Sequence, residues 1–171
     1  MKNIILVVGA VFLFSATQTF SQLQSGENVT IQERTAHDLY VAGGTVTINA
    51  PVVGDLIIGG GTVTINDTIT QDILVAGGTI FINGTVGDDV RCAGGKITIS
   101  GNVVGDVIAT GGTLDIQRGI KIGGNLISSG GEVVVDGEVE GMIKNASGTF
   151  TFTGKADNNL ESRGGKIIIN G

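Results

Sequence analysis

Hydrophobic residues recur along this chain with a period of seventeen residues. From Asp38 onward the chain repeats one pattern, DLYVAGGTVTINAPVVG followed by DLIIGGGTVTINDTITQ and further variants. When each repeat is numbered from its first residue, apolar residues occupy positions 2, 4, 9, 11 and 15. A fixed short period is typical of a solenoid, because each repeat is one structural unit that stacks on its neighbours.

The spacing inside each repeat predicts short β-strands. Apolar positions two residues apart place alternate side chains on one face of a strand. A Gly-Gly pair at positions 6 and 7 separates the first two strands, and we expect a corner with positive φ there. The sequence therefore predicts an all-β fold, a three-sided parallel β-helix (β-solenoid) of about eight 17-residue coils. Apolar pairs two residues apart, rather than one apolar residue in six, favour the right-handed form.

The repeat also predicts the division of the chain. Residues 38–171 form the solenoid, and the coil that begins at Asp106 carries two extra residues between Gln117 and Gly124. Residues 22–37 form an N-terminal entry or cap segment, in which residues 26–37 are a degenerate partial coil.

Residues 1–21 are typical of a signal peptide. Lys2 precedes an eleven-residue apolar run and a small, polar stretch, with cleavage expected after Ser21. The apolar run is too short to span a bilayer. We therefore expect an exported chain in the periplasm, at the cell surface or outside the cell, with no membrane span in the mature form.

Two columns of apolar residues form the predicted core, because stacked coils bring equal positions into register. Position 9 holds Val46, Val63, Ile80, Ile97, Leu114, Val133, Phe150 and Ile167. Position 11 holds Ile48, Ile65, Ile82, Ile99, Ile116, Val135, Phe152 and Ile169. Asn145 and Ala156 stand where larger apolar residues are usual, which we interpret as compensation for the volume of the two phenylalanines.

The composition and the single reactive side chains indicate a protein that is not an enzyme. A net charge of −6 without a basic cluster gives no footprint for nucleic acid. His37 is the one histidine and has no Cys or His near it. Cys92 is the one cysteine, and we predict a buried, inert thiol because a nucleophile would lack its base. We expect no cofactor and no internal disulfide.

Position 1 carries a column of carboxylates: Asp38, Asp55, Asp72, Asp89 and Asp106. At a coil spacing of about 4.8 Å these charges repel one another. Each carboxylate could accept local backbone N–H bonds, a role that Asn125 and Asn159 can imitate. The alternative is a ladder of bound cations such as calcium. We favour the first interpretation, because the nine-residue repeat of calcium solenoids is missing.

Two further ladders are expected, one on the second strand and one at the corner that follows it. Thr-x-Thr pairs such as Thr45 and Thr47 resemble the flat ladders of β-helical ice-binding proteins, but the pattern decays to Lys96 and Phe81. Threonine is also common on exposed strands by β-propensity alone. Position 12 carries Asn49, Asn66 and Asn83, which we predict to form a hydrogen-bonded ladder.

The phrases VVGDLIIGGG (52–61) and VVGDVIATGG (103–112) resemble the bactofilins, polymer-forming cytoskeletal proteins of bacteria. The resemblance covers residues 38–171 and rests on the repeat pattern. It implies a right-handed triangular β-helix that polymerises end to end without nucleotide and has no catalytic site. Bactofilins usually act on the cytoplasmic face, so the leader favours an exported relative.

The sequence is compatible with two classes of function. A self-assembling scaffold of the bacterial envelope or surface would join its ends as a homopolymer. The predicted contacts are Ile167 and Ile169 at the C-terminal end, which lacks a polar cap, and Val29 and Ile31 in the entry segment. The alternative is a secreted binding module for ice, glycan or calcium, or an adhesin-like surface protein.

Overall fold

The computed structural model describes residues 22–170, which contain β-strands and no helix. The predicted signal peptide lies outside the described residues. Nine strands of ten residues each form one parallel sheet: β1 (Gln22–Ile31), β2 (Leu39–Ile48), β3 (Leu56–Ile65), β4 (Ile73–Ile82), β5 (Val90–Ile99), β6 (Val107–Ile116), β8 (Leu126–Val135), β10 (Ile143–Phe152) and β12 (Leu160–Ile169). Three strands of two residues form a second parallel sheet: β7 (Lys121–Ile122), β9 (Glu138–Val139) and β11 (Lys155–Ala156).

The predicted β-solenoid is confirmed, and each coil presents three faces. Face A contains positions 2–6, residues 39–43 in β2, and face B contains positions 8–11, residues 45–48 in β2. Both belong to one ten-residue strand, whose pairing with β3 skips Gly44. Face C is held at position 15 by single parallel bridges, from Thr35 to Val52 and onward to Ile122, and then by the short strands. The two strands predicted on either side of Gly-Gly are therefore one bent strand.

The entry segment is more ordered than the sequence pattern indicated. β1 starts at Gln22 and pairs with β2 from Gln22 opposite Leu39 to Ile31 opposite Ile48. A first coil thus precedes the eight that the repeat predicted. The two extra residues of the Asp106 coil form a turn in which Gly119 has φ +84°. The turn absorbs the insertion, because β6 and β8 still pair in the common register.

The glycine corners do not have the conformation that we expected. Among the described residues, positive φ occurs at Gly54 and Gly119 and at none of the Gly-Gly pairs. At Gly77 a Cβ atom would lie 2.7 Å from the carbonyl oxygen of Gly60 in the preceding coil, and the equivalent atom at Gly60 would lie 2.9 Å from that of Gly43. Glycine is favoured here because the stacked backbones approach closely, although Ser147 takes this position in β10.

The inward columns form one continuous core. Positions 9 and 11 are fully buried from Val46 and Ile48 in β2 to Val133 and Val135 in β8. Phe150 is completely buried and its ring stacks on that of Phe152, with centroids 6.4 Å apart. Asn145 is buried close by, where it hydrogen-bonds to Ser128, Ser147 and Ser162. Its polar atoms are therefore satisfied within the core.

Candidate functional site

The aspartate column is a hydrogen-bonded ladder that joins successive coils. The Oδ1 atom of Asp38 accepts the backbone N–H of Asp55 at 3.0 Å, and that of Asp55 accepts the N–H of Asp72 at 3.1 Å. The ladder continues through Asp89 and Asp106 to the N–H of Asn125. The interpretation as backbone acceptors is confirmed, but the donor belongs to the next coil rather than to the local turn.

The C-terminal end of the ladder shows that the side chain at position 1 serves as a hydrogen-bond acceptor. Asn125 takes over the role of aspartate and accepts the N–H of Met142 at 2.9 Å. Met142 has no oxygen to offer to the next coil, and the N–H of Asn159 instead bonds to Oδ1 of Asn158 at 3.0 Å. An acceptor is therefore supplied to this backbone N–H even where the ladder is interrupted, as an otherwise orphaned amide would require.

The centre of the ladder carries a charged cluster. Carboxylate oxygens of Asp72, Asp88 and Asp89 lie within 4.8 Å of one another. Arg91 donates to Oδ2 of Asp72 at 3.0 Å and to Oδ2 of Asp89 at 2.8 Å. The hydrogen bond to Asp72 raises the pKa of Arg91, so the cation stays charged. Partial desolvation, and then the charges of Asp72 and Asp89, raise the pKa of Asp88.

The cluster has the carboxylate oxygens that a cation site needs, but these oxygens already bind groups of the protein. Calcium takes six to eight oxygen ligands. Here the Oδ1 atoms of Asp72 and Asp89 already bind backbone amides, and their Oδ2 atoms already bind a guanidinium. A divalent ion would therefore compete with Arg91. The geometry favours the structural role for the column.

The predicted asparagine ladder at position 12, just after face B, is confirmed. Asn66 donates to Asn49 and Asn83 donates to Asn66, both at 2.8 Å, and Ser100 extends the ladder by donating to Asn83. The threonines align as predicted, with Thr45 beside Thr62 and Thr47 beside Thr64. Phe81 and Lys96 then interrupt the two columns. The threonine surface is three coils long at position 8, namely Thr45, Thr62 and Thr79.

The two residues with reactive side chains lie apart from each other. Cys92 is buried, and desolvation raises the pKa of its thiol to about 12. The predicted inert character of this cysteine follows, because the thiolate is the nucleophilic form. His37 is exposed between β1 and β2.

The predicted assembly residues differ between the two ends. Ile167 and Ile169 in β12 are 44% and 53% exposed, whereas Phe150 and Phe152 in the same columns are 0% and 4% exposed. Val29 and Ile31 in β1 are only 9% and 5% exposed, so they belong to the core. Apolar surface in these columns is thus concentrated at the β12 end.

Face A carries an apolar surface that the sequence reasoning missed. At position 3, large apolar side chains point outward in six coils, and we call this set the apolar column: Leu23, Tyr40, Ile57, Leu74, Ile108 and Ile127. Leu74 is 54% exposed. The signal was present in the repeat, because position 3 lies between the inward positions 2 and 4 and must face outward.

A second outward column runs beside the first, at position 5. It holds small residues, and we call it the small-residue column: Ser25, Ala42, Gly59, Ala76, Ala93, Thr110, Ser129 and Ala146. Between the two columns lies an open groove of about 520 Å³, lined by Ile57, Leu74 and Ile108 together with Gly59, Ala76 and Ala93. Face A is therefore a ridge of large residues next to an apolar groove.

Comparison of the chain with protein-family models, with curated proteins and with solved structures found no match. Within residues 22–170, no helix is long and apolar enough to cross a membrane.

Proposed function

We propose that this protein is a non-enzymatic, self-assembling β-solenoid scaffold whose molecules join through the β12 end. The observation that carries the proposal is the exposure of Ile167 and Ile169, which continue columns that are buried in the preceding coils. Among the described residues, β12 hydrogen-bonds to β10 alone, so one edge of its backbone is unpaired. An unpaired apolar strand edge favours pairing with another chain.

A further coil stacked on β12 would pair its free backbone edge and cover its exposed isoleucines. Its backbone would pair with β12, and its side chains would cover two half-exposed isoleucines, each worth roughly 1 kcal/mol of additional burial. That coil can come from the β1 edge of a second molecule or from another β12. Both arrangements bury the same isoleucines, and a bactofilin-like polymer corresponds to continued end-to-end growth.

Sedimentation of the wild type and of the Ile167→Lys/Ile169→Lys variant tests this proposal. We expect assemblies from the wild type and a smaller species from the variant, because the lysines would have to be desolvated in the junction. The control is Thr62→Lys/Thr64→Lys, which adds the same charge to outward positions of a central coil and should still assemble. A wild type that stays monomeric at high concentration would overturn the scaffold and favour the binding module.

Export is the second part of the proposal, and its support is the composition of residues 1–21. N-terminal sequencing of the protein from an exporting host should find a mature chain that begins near Gln22. Recovery of intact Met1 from membranes would contradict cleavage.

A further inference from the structure

We propose that face A is a lateral contact between two copies of this chain, in which the apolar column of each copy packs into the groove of the other. This contact is separate from the β12 junction, because it uses side chains on the outside of the sheet. The partner is a second copy, and the argument rests on the shape, charge and area of the face.

The shape of face A is complementary to itself. A two-fold axis parallel to the solenoid axis, midway between positions 3 and 5, places each position-3 residue opposite position 5 of the same coil in the partner. Leu74 then faces Ala76, and Ile57 faces Gly59. Large residues meet small ones along the whole column, which is the arrangement that lets two sheets pack closely.

The charges on face A also fit this arrangement. In β12, position 3 is Glu161 and position 5 is Arg163, both exposed. The same axis brings Glu161 of each copy opposite Arg163 of the other. Two other residues at position 3 are charged: Arg91 pairs with Asp72 of the preceding coil and Asp89 of its own coil, and Lys144 would face the small Ala146 of the partner. Like charges therefore do not lie directly opposite each other, although the chain carries a net charge of −6.

The area is sufficient for a specific contact. Nine strands about 4.8 Å apart, each contributing five residues of about 3.3 Å, give face A roughly 700 Å² per copy. Two copies bury roughly 1,400 Å², which lies within the range of roughly 1,200–2,000 Å² for specific interfaces. Six large apolar side chains on one face also exceed the isolated apolar residues of an ordinary surface.

Sedimentation with the β12 end blocked separates the lateral contact from end-to-end growth. The full-length Ile167→Lys/Ile169→Lys chain, produced in an exporting host, should sediment as a dimer. Adding Ala76→Glu should convert the dimer to a monomer, whereas the control Thr79→Glu, an outward residue of the same coil on face B, should leave it intact. A monomeric background variant, or equal effects of the two glutamates, would overturn the lateral contact. A monomer that sediments with phosphatidylcholine vesicles would assign the face to lipid and would also overturn the proposal.

Cysteine cross-linking in the otherwise wild-type chain tests the geometry without the lysine substitutions. A mixture of Leu74→Cys and Ala76→Cys chains should form a disulfide-linked heterodimer under mild oxidation, and neither variant alone should do so. Buried Cys92 serves as the internal control for unspecific oxidation. Efficient cross-linking of Leu74→Cys to itself would contradict the parallel arrangement, and the lack of any link would contradict the contact.

Exchange of the two charges provides a third readout. Glu161→Arg alone places arginines opposite each other and should weaken the dimer at least tenfold, whereas Glu161→Arg with Arg163→Glu should restore it. If the dimer is not restored in the double variant, the paired charges do not lie at the interface.

Discussion

Oδ1 of Asp72 accepts a hydrogen bond at 3.1 Å from the backbone N–H of Asp89, the equivalent residue of the next coil. The column that was considered as a cation ladder thus closes a gap in the backbone pairing between coils. The backbone carbonyl of Asp89 still pairs with the preceding coil, accepting the N–H of Ile73 at 2.8 Å, whereas its own N–H is bound by the side chain of Asp72.

The ladder predicts different effects for the two simplest substitutions at Asp72. Asp72→Asn keeps the Oδ1 acceptor and should change the free energy of unfolding little, since exposed ion pairs such as that with Arg91 contribute little. Asp72→Ala leaves the N–H of Asp89 without its acceptor and should cost about 1–3 kcal/mol. Urea unfolding of both variants checks the order. Equal losses from Asn and Ala would show that charge, not the acceptor, matters.

The interruption at Met142 predicts a coupling between two side chains. Asn158→Ala should destabilise the wild type, because Asn159 N–H loses the oxygen that now binds it. The same change should cost less in a Met142→Asn background, where a restored ladder residue can accept that N–H. A double-mutant cycle of unfolding free energies measures the difference. Additive effects would contradict the substitution of one acceptor for the other.

The glycine contacts predict opposite outcomes at two neighbouring coils. Gly77→Ala would place a Cβ atom 2.7 Å from a backbone oxygen, and we expect a loss of about 1–3 kcal/mol from the resulting overpacking. Gly59→Ala meets nothing within 4 Å and should be neutral or stabilising by about 0.4–1 kcal/mol. Thermal or urea unfolding compares the two. A destabilising Gly59→Ala would contradict the explanation by close approach.

The charge cluster predicts a pH-dependent effect of Asp88→Asn. The raised pKa of Asp88 means that the folded chain holds this proton more tightly than the unfolded chain. The stability from this group is therefore present below its ordinary pKa of 3.8 and is lost as the pH rises through the folded value. Asp88→Asn should raise the melting temperature near pH 7, with the gain vanishing in acid. Glu33→Gln in the first coil is the control, and a gain that persists in acid would exclude the linkage.

The internal use of the carboxylates predicts indifference to calcium. Melting temperatures with millimolar calcium and with chelator should agree, because a ligand that binds the folded state would raise the midpoint by mass action. The same comparison in an Arg91→Ala variant is a more sensitive test, because that substitution removes the cation that binds the Oδ2 atoms of Asp72 and Asp89. A clear rise in wild type with calcium would restore the cation ladder.

The sequence predicted the solenoid because the core residues follow a short repeat of apolar positions. Val46 and Ile48 lie two residues apart and recur every seventeen, and stacking needs no more information than this period to bury them. The asparagine ladder from Asn49 to Asn83 and the buried thiol of Cys92 follow from the same register. Position 3 was equally readable, and the exposure of Leu74 could have been inferred from its inward neighbours.

Only the tertiary structure showed which contacts join one coil to the next. The oxygen of Gly60 leaves little room for a side chain at Gly77. Asp72 accepts the N–H of Asp89, and β1 completes a coil that the sequence showed only as a partial one. The exposed ends of the columns at Ile167 and Ile169 likewise depend on which strands pair. These properties are set by distances between residues about seventeen positions apart, and a pattern of residue types along the chain does not specify such distances until the coils are stacked.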